Sequence, residues 1–410
     1  MRILIANWSC RTAGGTETYL GRIMTRLAGR GHEVGFCFEV DEPDDRSLIP
    51  LPDGVLRVPL RPDLPRALET LRSWRPDIIY AHGFLDPDEE AAVLELAPGV
   101  FAAHSYYGTC ISGEKTHKFP SASPCSRRFG AACLALYFPR RCGGLSPLTM
   151  ATAYDRQRRR LALLHRYGCV VTVSAHMSAE FLRHGVAGGR VFTLPHYGAA
   201  DEDQVVHVRP ERLSPGAPFR MTFVGRMDRL KGGRVLLAAL PRVHAESGRA
   251  LQLTFAGDGP VRTSWERHAR TLRSQVPGIS VEFAGWLQKD ALTARLASTD
   301  VVVMPSLWPE PFGLVGPEAN AHGVPVVAFA TGGIPEWLHD GVNGCLAPGD
   351  PPTAGGLAEA LLRCIRSLES SDALNHGALA AARSRRDDQH LDALLEILGR
   401  AARPADCVSA

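Results

Sequence analysis

Lysine is scarce in this 410-residue chain: Lys115, Lys118, Lys231 and Lys289 are the only four among 46 basic side chains. Nearly all positive charge is therefore guanidinium, which suits forked contacts to phosphate or carboxylate. An excess of either sign is also missing, since 43 Asp and Glu leave a formal charge of +3 and exclude an all-over nucleic-acid binder. No run approaches the roughly 18 to 20 apolar residues that a membrane span needs. Met1-Arg2-Ile3-Leu4-Ile5-Ala6 is too short for a signal-peptide core, so the expected location is the cytoplasm. No Cys-x-x-Cys pair occurs, and ten cysteines are too few for a disulfide scaffold.

What is present is globular material: 45% hydrophobic and 22% charged residues with 40 Gly and 30 Pro, which excludes disorder, collagen and coiled coil. The length suggests about two or three domains. Apolar runs alternate with segments of helical spacing. Ile3–Ala6 reads as a strand, Gly14-Gly15-Thr16 as a turn, and Tyr19, Leu20, Ile23, Met24 and Leu27 as a helix. Strands at 34–40, 77–81, 100–103, 169–174 and 191–194 and helices at 64–74, 89–96, 149–167 and 179–184 continue the pattern. A polar, Pro-containing linker follows at 199–218, and a second series of the same kind opens at Arg220–Val224. The expected architecture is α/β: two doubly wound Rossmann-like domains, 1–198 and 219–385, facing across a cleft, with a helix and tail at 386–410 that returns to the first domain. Ligands of such sheets bind outside the carboxyl ends of the strands.

Three segments at such ends carry chemistry. Gly225-Arg226-Met227-Asp228-Arg229-Leu230-Lys231-Gly232 places two cations beside a strand, where they can neutralise a diphosphate. Gly257-Asp258-Gly259-Pro260 opens a helix whose N–H groups face an anion. In Pro309-Glu310-Pro311-Phe312-Gly313-Leu314-Val315-Gly316-Pro317-Glu318, a rigid loop separates two carboxylates. Taken singly, each also reads as an ordinary turn with solvated charges.

Together with Ala321-His322-Gly323-Val324-Pro325 and Gly332-Gly333-Ile334-Pro335-Glu336, these segments resemble, in order and spacing, the GT-B-fold retaining glycosyltransferases of family 4. The resemblance covers about residues 220–345, and Gly14-Gly15 and His104 extend it more thinly into the first half. It implies a nucleotide diphosphate sugar donor, UDP- or GDP-linked. By motif matching, Arg226 and Lys231 hold the diphosphate and Glu318 the ribose. Glu310, Phe312, Gly313, Leu314 and Val315 surround the sugar and phosphate, Gly259 belongs to the second phosphate loop, and Leu287 lies near the base. Gly14 and Gly15 approach the diphosphate from across the cleft. The resemblance further implies retention by front-face attack, with no cofactor and no metal in the chemistry. Glu310 as a nucleophile is the less favoured route.

His104 ends the strand 100–103 and is expected at the sugar or acceptor; His82 stands at another strand tip. Residues 105–148 form an insert with Cys110, Cys125, Cys133 and Cys142 at intervals of 14, 7 and 8. Three readings stand open for them: a structural zinc, disulfides, or separate thiols, with His117 as a spare ligand. Residues 110–166 contain 11 basic and 2 acidic side chains. This points to an anionic or lipid-linked acceptor, or to peripheral contact with the inner membrane surface. Aromatics are not interleaved with the basic residues, which argues against nucleic acid. The expected activity is transfer to a glycan, lipid-linked or other glycoconjugate acceptor. The alternatives are a small-metabolite acceptor, or a catalytically silent sugar-nucleotide-binding scaffold.

Overall fold

In the computed structural model, the described residues are 1–11, 14–41, 48–196, 216–384 and 387–403. Most of the expected linker 199–218, and the end of the tail with Cys407, lie outside them. The chain divides into two units: Met1–Glu114, Arg127–Pro195 and Asp387–Ala410 form unit 1, and Lys115–Ser126 with His196–Arg386 form unit 2.

The first half runs β1 (Arg2–Ser9), α1 (Gly15–Gly29), β2 (Glu33–Val40), β3 (Leu56–Pro59), α2 (Leu64–Trp74), β4 (Ile78–Ala81), α3 (Pro87–Val93) and β5 (Gly99–Ala103). A two-stranded hairpin, β6 (Thr116–His117) and β7 (Ser123–Pro124), precedes α4 (Ala132–Tyr137), α5 (Pro147–Leu164), β8 (Cys169–Thr172), α6 (Ala175–Arg183) and β9 (Val191–Thr193). The sheet of unit 1 is parallel, in the order β3-β2-β1-β4-β5-β8-β9. Its central strands are covered on both faces, so Ile3, Leu4, Ile5 and Ala6 in β1 are fully buried, as are Ile78, Ile79 and Ala81 in β4. Three helices, α3, α5 and α6, begin earlier than apolar spacing suggests. Ser146 caps α5 ahead of Pro147, and the Ser174 hydroxyl accepts from Met177 N at 3.2 Å to start α6.

Unit 2 contains β10 (Phe219–Val224), α7 (Gly233–Ser247), β11 (Leu251–Ala256), α8 (Arg262–Gln275), β12 (Ile279–Gly285), α9 (Lys289–Ala297), β13 (Val301–Met304), α10 (Val315–Ala321), β14 (Val326–Phe329), β15 (Gly344–Ala347), α11 (Ala354–Ser370) and α12 (Ala373–Arg383). Its parallel sheet has the order β12-β11-β10-β13-β14-β15. Phe219, Phe223, Phe255 and Trp265 pack with Leu236, Leu240 and Leu361 in one core. Burying each such aromatic contributes about 1.5–3 kcal/mol.

The structure differs from the sequence expectation in one boundary. The hairpin of β6 and β7, expected as part of the first domain's insert, belongs to unit 2. The reason is local: Ala122 packs against the core of unit 2, and Arg229 Nη2 donates to Lys118 O at 3.4 Å. The last helix, α13 (Asp387–Ala402), belongs to unit 1 and packs on β4, β5 and α1. Arg30 reaches across to Asp388 at 3.1 Å and Asp392 at 2.9 Å. Among the described residues, no helix is long and apolar enough to cross a membrane.

Candidate active site

In each sheet the chain reverses its winding between the first strand and its crossover neighbour, β1/β4 in unit 1 and β10/β13 in unit 2. The crevice outside the carboxyl ends of such strands is where ligands of open α/β sheets bind. The residues singled out by sequence sit at both places.

In unit 2, β10 ends at Val224 and runs into Gly225–Gly232, while β13 ends at Met304 and runs into the Glu310 loop. Asp228 accepts from Leu230 N at 2.9 Å and starts a single 3-10 turn, Arg229–Lys231. That turn directs Lys231 toward the neighbouring loop, where its Nζ donates to Glu310 Oε1 at 2.7 Å. Ser306 donates to the same oxygen at 2.6 Å, and the Lys231 ammonium lies 5.4 Å from the centre of the Trp308 ring. Glu310 is buried and Lys231 about one-third exposed. Gly232 has φ +75, and a Cβ there would stand 1.7 Å from Pro305 O, so only glycine lets the two loops approach this closely. Arg226 is 71% exposed, with Asp228 Oδ2 3.5 Å away. An exposed guanidinium and a hydrogen-bonded ammonium therefore stand in one loop.

The second phosphate loop is joined to the first. Met227 N donates to Asp258 O at 2.7 Å, and Gly257 N donates to Gly285 O at 2.7 Å, which links the ends of β10, β11 and β12. Gly259 thus lies directly beside the cation loop. Trp286 is 62% exposed just past β12, with Leu287 next to it. Phe312 is buried, whereas Gly313, Leu314 and Val315 are partly exposed at the start of α10, and Glu318 is half-buried in that helix. The loop is held from behind by Trp337, which sequence reading missed. Its indole is fully buried, Nε1 donates to Phe312 O at 2.6 Å, and the ring occupies the space where a Cβ on Gly316 would fall. Ser306 and Trp308 were missed as well; they stand in the Pro-rich segment that holds Glu310.

Unit 1 presents a neutral site. Gly14 precedes α1 and Gly15 is its first residue. Glu17 in that first turn is buried, its carboxyl pushed up by desolvation despite a hydrogen bond from Trp8. His82 follows β4 and His104 follows β5, and His82 Nδ1 and His104 Nε2 are 2.8 Å apart with the rings stacked. Burial pushes His104 down to about 4, so its imidazole is neutral near pH 7. Beside them, Tyr19 OH lies 3.3 Å from Tyr80 OH and 3.0 Å from His390 Nε2. His390 Nδ1 is 3.0 Å from Pro195 O, which can only accept. The imidazole, pushed by burial to about 4, is therefore neutral with its proton on Nδ1, and Nε2 accepts from Tyr19. Tyr19, Tyr80 and His390 had no sequence signal beyond helical spacing, because they lie far apart in the chain.

A cavity of about 540 Å³ opens in unit 1 between the loop after β4 and helix α5, lined by Arg61, Arg156 and Arg159 with Leu85, Asp86 and Asp155. Its wall is braced by Glu39, which accepts from Asp86 N at 2.7 Å and from Leu85 N; burial pushes its carboxyl up to about 7. Behind it Glu90, fully buried, accepts from Tyr107 and, at 2.6 Å, from Tyr167, and Arg160 stacks on the Tyr107 ring at 4.3 Å. The basic window is therefore not one uniform patch. Arg158, Arg159 and Arg166 pair with Asp155, Asp88 and Glu95, and Arg160 donates to Phe84 O and Leu85 O.

Among the described residues, no three His, Cys, Asp or Glu side chains gather in a metal-binding group. Cys110, Cys125, Cys133 and Cys142 are all thiols rather than disulfides. Cys110 belongs to unit 1 and Cys125 to unit 2. Cys133 donates to Arg128 O and Cys142 to Leu136 O, each at 3.9 Å within its own turn.

Comparison with known proteins agrees with this geometry. Residues 13–197 match the family described as Glycosyltransferase Family 4, and residues 218–367 match Glycosyl transferases group 1. The chain belongs to the GT-B-fold glycosyltransferases of these families. It is 27% identical to the glycogen synthase of Mycobacterium tuberculosis over 94% of this chain and 90% of that one. It is 28% identical to the D-inositol 3-phosphate glycosyltransferase of Mycolicibacterium vanbaalenii over 95% of this chain and 86% of that one. Among solved structures, Anabaena HepE in complex with UDP-glucose aligns over 98% of this chain and 100% of its own with a TM-score of 0.64 at 20% identity. Sucrose-phosphate synthase from Thermosynechococcus elongatus aligns over 97% and 98% with a TM-score of 0.67 at 20% identity.

Proposed function

We propose that the chain is a cytoplasmic, retaining glycosyltransferase that moves a sugar from a UDP-sugar to a hydroxyl of an acceptor bearing phosphate or carboxylate. The observation that carries this reading is the Lys231–Glu310 contact of 2.7 Å at the β10/β13 switch point, with Arg226 in the same loop. Two cations at that place meet the charge that grows on a nucleoside diphosphate as the anomeric C–O bond breaks, and a fixed cation needs little reorganisation to do so. The bonding pair leaves with the diphosphate oxygen. The acceptor oxygen attacks from the same face, and its proton passes to the departing phosphate, so neither an enzyme nucleophile nor a metal is needed. Glu310, already engaged by Lys231 and Ser306, is better suited to orienting the ammonium and a sugar hydroxyl than to attacking carbon. Glu318 holds the ribose and Trp286-Leu287 face the base. Solved relatives carrying UDP and UDP-glucose support a uridine donor. The D-inositol 3-phosphate glycosyltransferase relatives support an anionic acceptor, and the cavity of unit 1, where Arg61, Arg156 and Arg159 stand with Asp86 and Asp155, is its candidate place.

A donor panel read by nucleoside diphosphate release tests the reading. UDP release is expected from at least one UDP-sugar. Lys231→Ala and Glu318→Ala should weaken donor binding by about tenfold or more, and Glu310→Gln should lower turnover by about 10² with donor affinity largely kept. Unchanged affinity and rate in all three variants overturn the assignment. Binding without release from any donor would favour the silent scaffold.

A further inference from the structure

The stretch 127–154 contains no Asp or Glu, yet carries Arg127, Arg128, Arg140 and Arg141. All four arginines are exposed. In the same stretch, three large apolar side chains face solvent: Phe138 is 37% exposed, Leu145 83% and Leu148 73%. The exposure is not that of a loose loop. Tyr137 is 2% exposed and anchors the turn: Cys142 N donates to Tyr137 O at 2.9 Å, and a Cβ on Gly143 would collide with the Tyr137 hydroxyl. Phe129 is fixed on the Tyr154 ring at 5.0 Å, and Ser146 with Pro147 starts α5 so that Leu148 falls in its first turn. The segment thus turns its anchoring aromatics inward and holds Phe138, Leu145 and Leu148 outward.

We infer that residues 127–148 form a docking surface for an anionic lipid bilayer, with Leu145, Leu148 and Phe138 entering the headgroup boundary while the four arginines pair with lipid phosphates. Exposed apolar side chains and guanidinium groups in one stretch of chain without Asp or Glu are the combination that binds such an interface. Guanidinium also forks to phosphate better than ammonium does. The surface is independent of the donor site, so its failure leaves the transferase reading intact.

The test is sedimentation of the purified full chain with vesicles of phosphatidylcholine alone, or of phosphatidylcholine and phosphatidylglycerol in equal parts. Binding is expected to the anionic vesicles and to fall with salt. Leu145→Ser with Leu148→Ser should lower the partition coefficient about tenfold or more. Arg128→Gln with Arg140→Gln should lower it about tenfold and flatten the salt dependence. All four positions are exposed, so thermal unfolding and donor turnover should match the parent chain. A chain that stays in the supernatant with anionic vesicles, or variants that sediment as the parent does, overturn the proposal. So does a parent chain that binds no vesicle but forms a dimer abolished by the Leu145/Leu148 change.

Discussion

The two switch points are built from opposite materials. In unit 2 the site is charged: Lys231 meets Glu310, Arg226 stands in solvent, and the loops are held by glycines and by Trp337 behind them. In unit 1 the strand tips carry a hydrogen-bonded network in which burial keeps His104 and His390 neutral near pH 7: His82 pairs with His104, and Tyr19 with His390 and Tyr80. A leaving diphosphate calls for fixed positive charge, whereas a neutral hydroxyl or sugar calls for hydrogen bonds that do not attract counter-ions. On the proposed function, this difference gives the anion-stabilising work to unit 2 and the positioning work to unit 1.

The largest expected effect tests whether the unit 2 loop is held by packing rather than by its ion pair. Trp337→Ala removes a fully buried indole and leaves Phe312 O without its donor. Stability should fall by about 3–5 kcal/mol in urea unfolding. Trp337→Phe keeps much of the volume and should recover about half of that, while donor affinity stays reduced because the Phe312–Val315 loop has lost its anchor. A loss below 1 kcal/mol for the alanine variant, or full donor affinity in the phenylalanine variant, would show that the Lys231–Glu310 pair alone sets the loop.

The same contrast explains what sequence could reveal. The sequence could bring Arg226, Lys231 and Glu310 together because Arg226 and Lys231 follow the end of β10 and Glu310 that of β13, each inside a motif whose spacing is local. The alternation of strands and helices was legible for the same reason. Trp337 and His390 were not. Trp337 acts on Phe312 from 25 positions away, and Tyr19 meets His390 across 371 positions; both pairings depend on tertiary packing. The cysteine intervals carry no such local motif: Cys110 belongs to unit 1 and Cys125, just past the hairpin, to unit 2. The basic window was a true count, but Asp88 in α3 and Glu95 just past it pair with arginines at its C-terminal end and leave the excess at 127–148.

Acid should separate the two units. His390 has its folded pKa near 4 against 6.5 in the open chain. Above pH 6.5 both states are neutral and the contribution is constant. Between 6.5 and about 4 the unfolded chain takes the proton first, so stability falls, by about 3 kcal/mol over the whole window. His104 acts in the same direction. Glu39, raised to about 7, acts oppositely: its folded form keeps a proton longer, so its contribution is lost as pH rises from 4.5 toward 7. Hydrogen exchange between pH 7 and 5 should show protection in β4, β5 and α13 declining, and His390→Gln should flatten that decline. An equal slope in the variant would mean that His390 does not report on folding of unit 1.

The smallest effect is the sharpest test of neutrality in the unit 1 network. Tyr19→Phe keeps the ring beside His82 and His104 but removes the hydroxyl that donates to His390 Nε2. An acceptor buried at that position then has no donor, at a cost of about 1 kcal/mol in urea unfolding near pH 7. Protonating His390 would let Nε2 donate instead, but the phenyl ring offers no acceptor in line, so the deficit should persist down to pH 5. If the network instead carried a charged imidazolium near pH 7, Tyr19 would be its acceptor, and the deficit would shrink steadily as pH rose from 6 to 8. A flat difference between Tyr19→Phe and the parent chain supports the neutral chain from Pro195 through His390 to Tyr19; a sloping one reverses the proton's direction and, with it, the contrast between the two units.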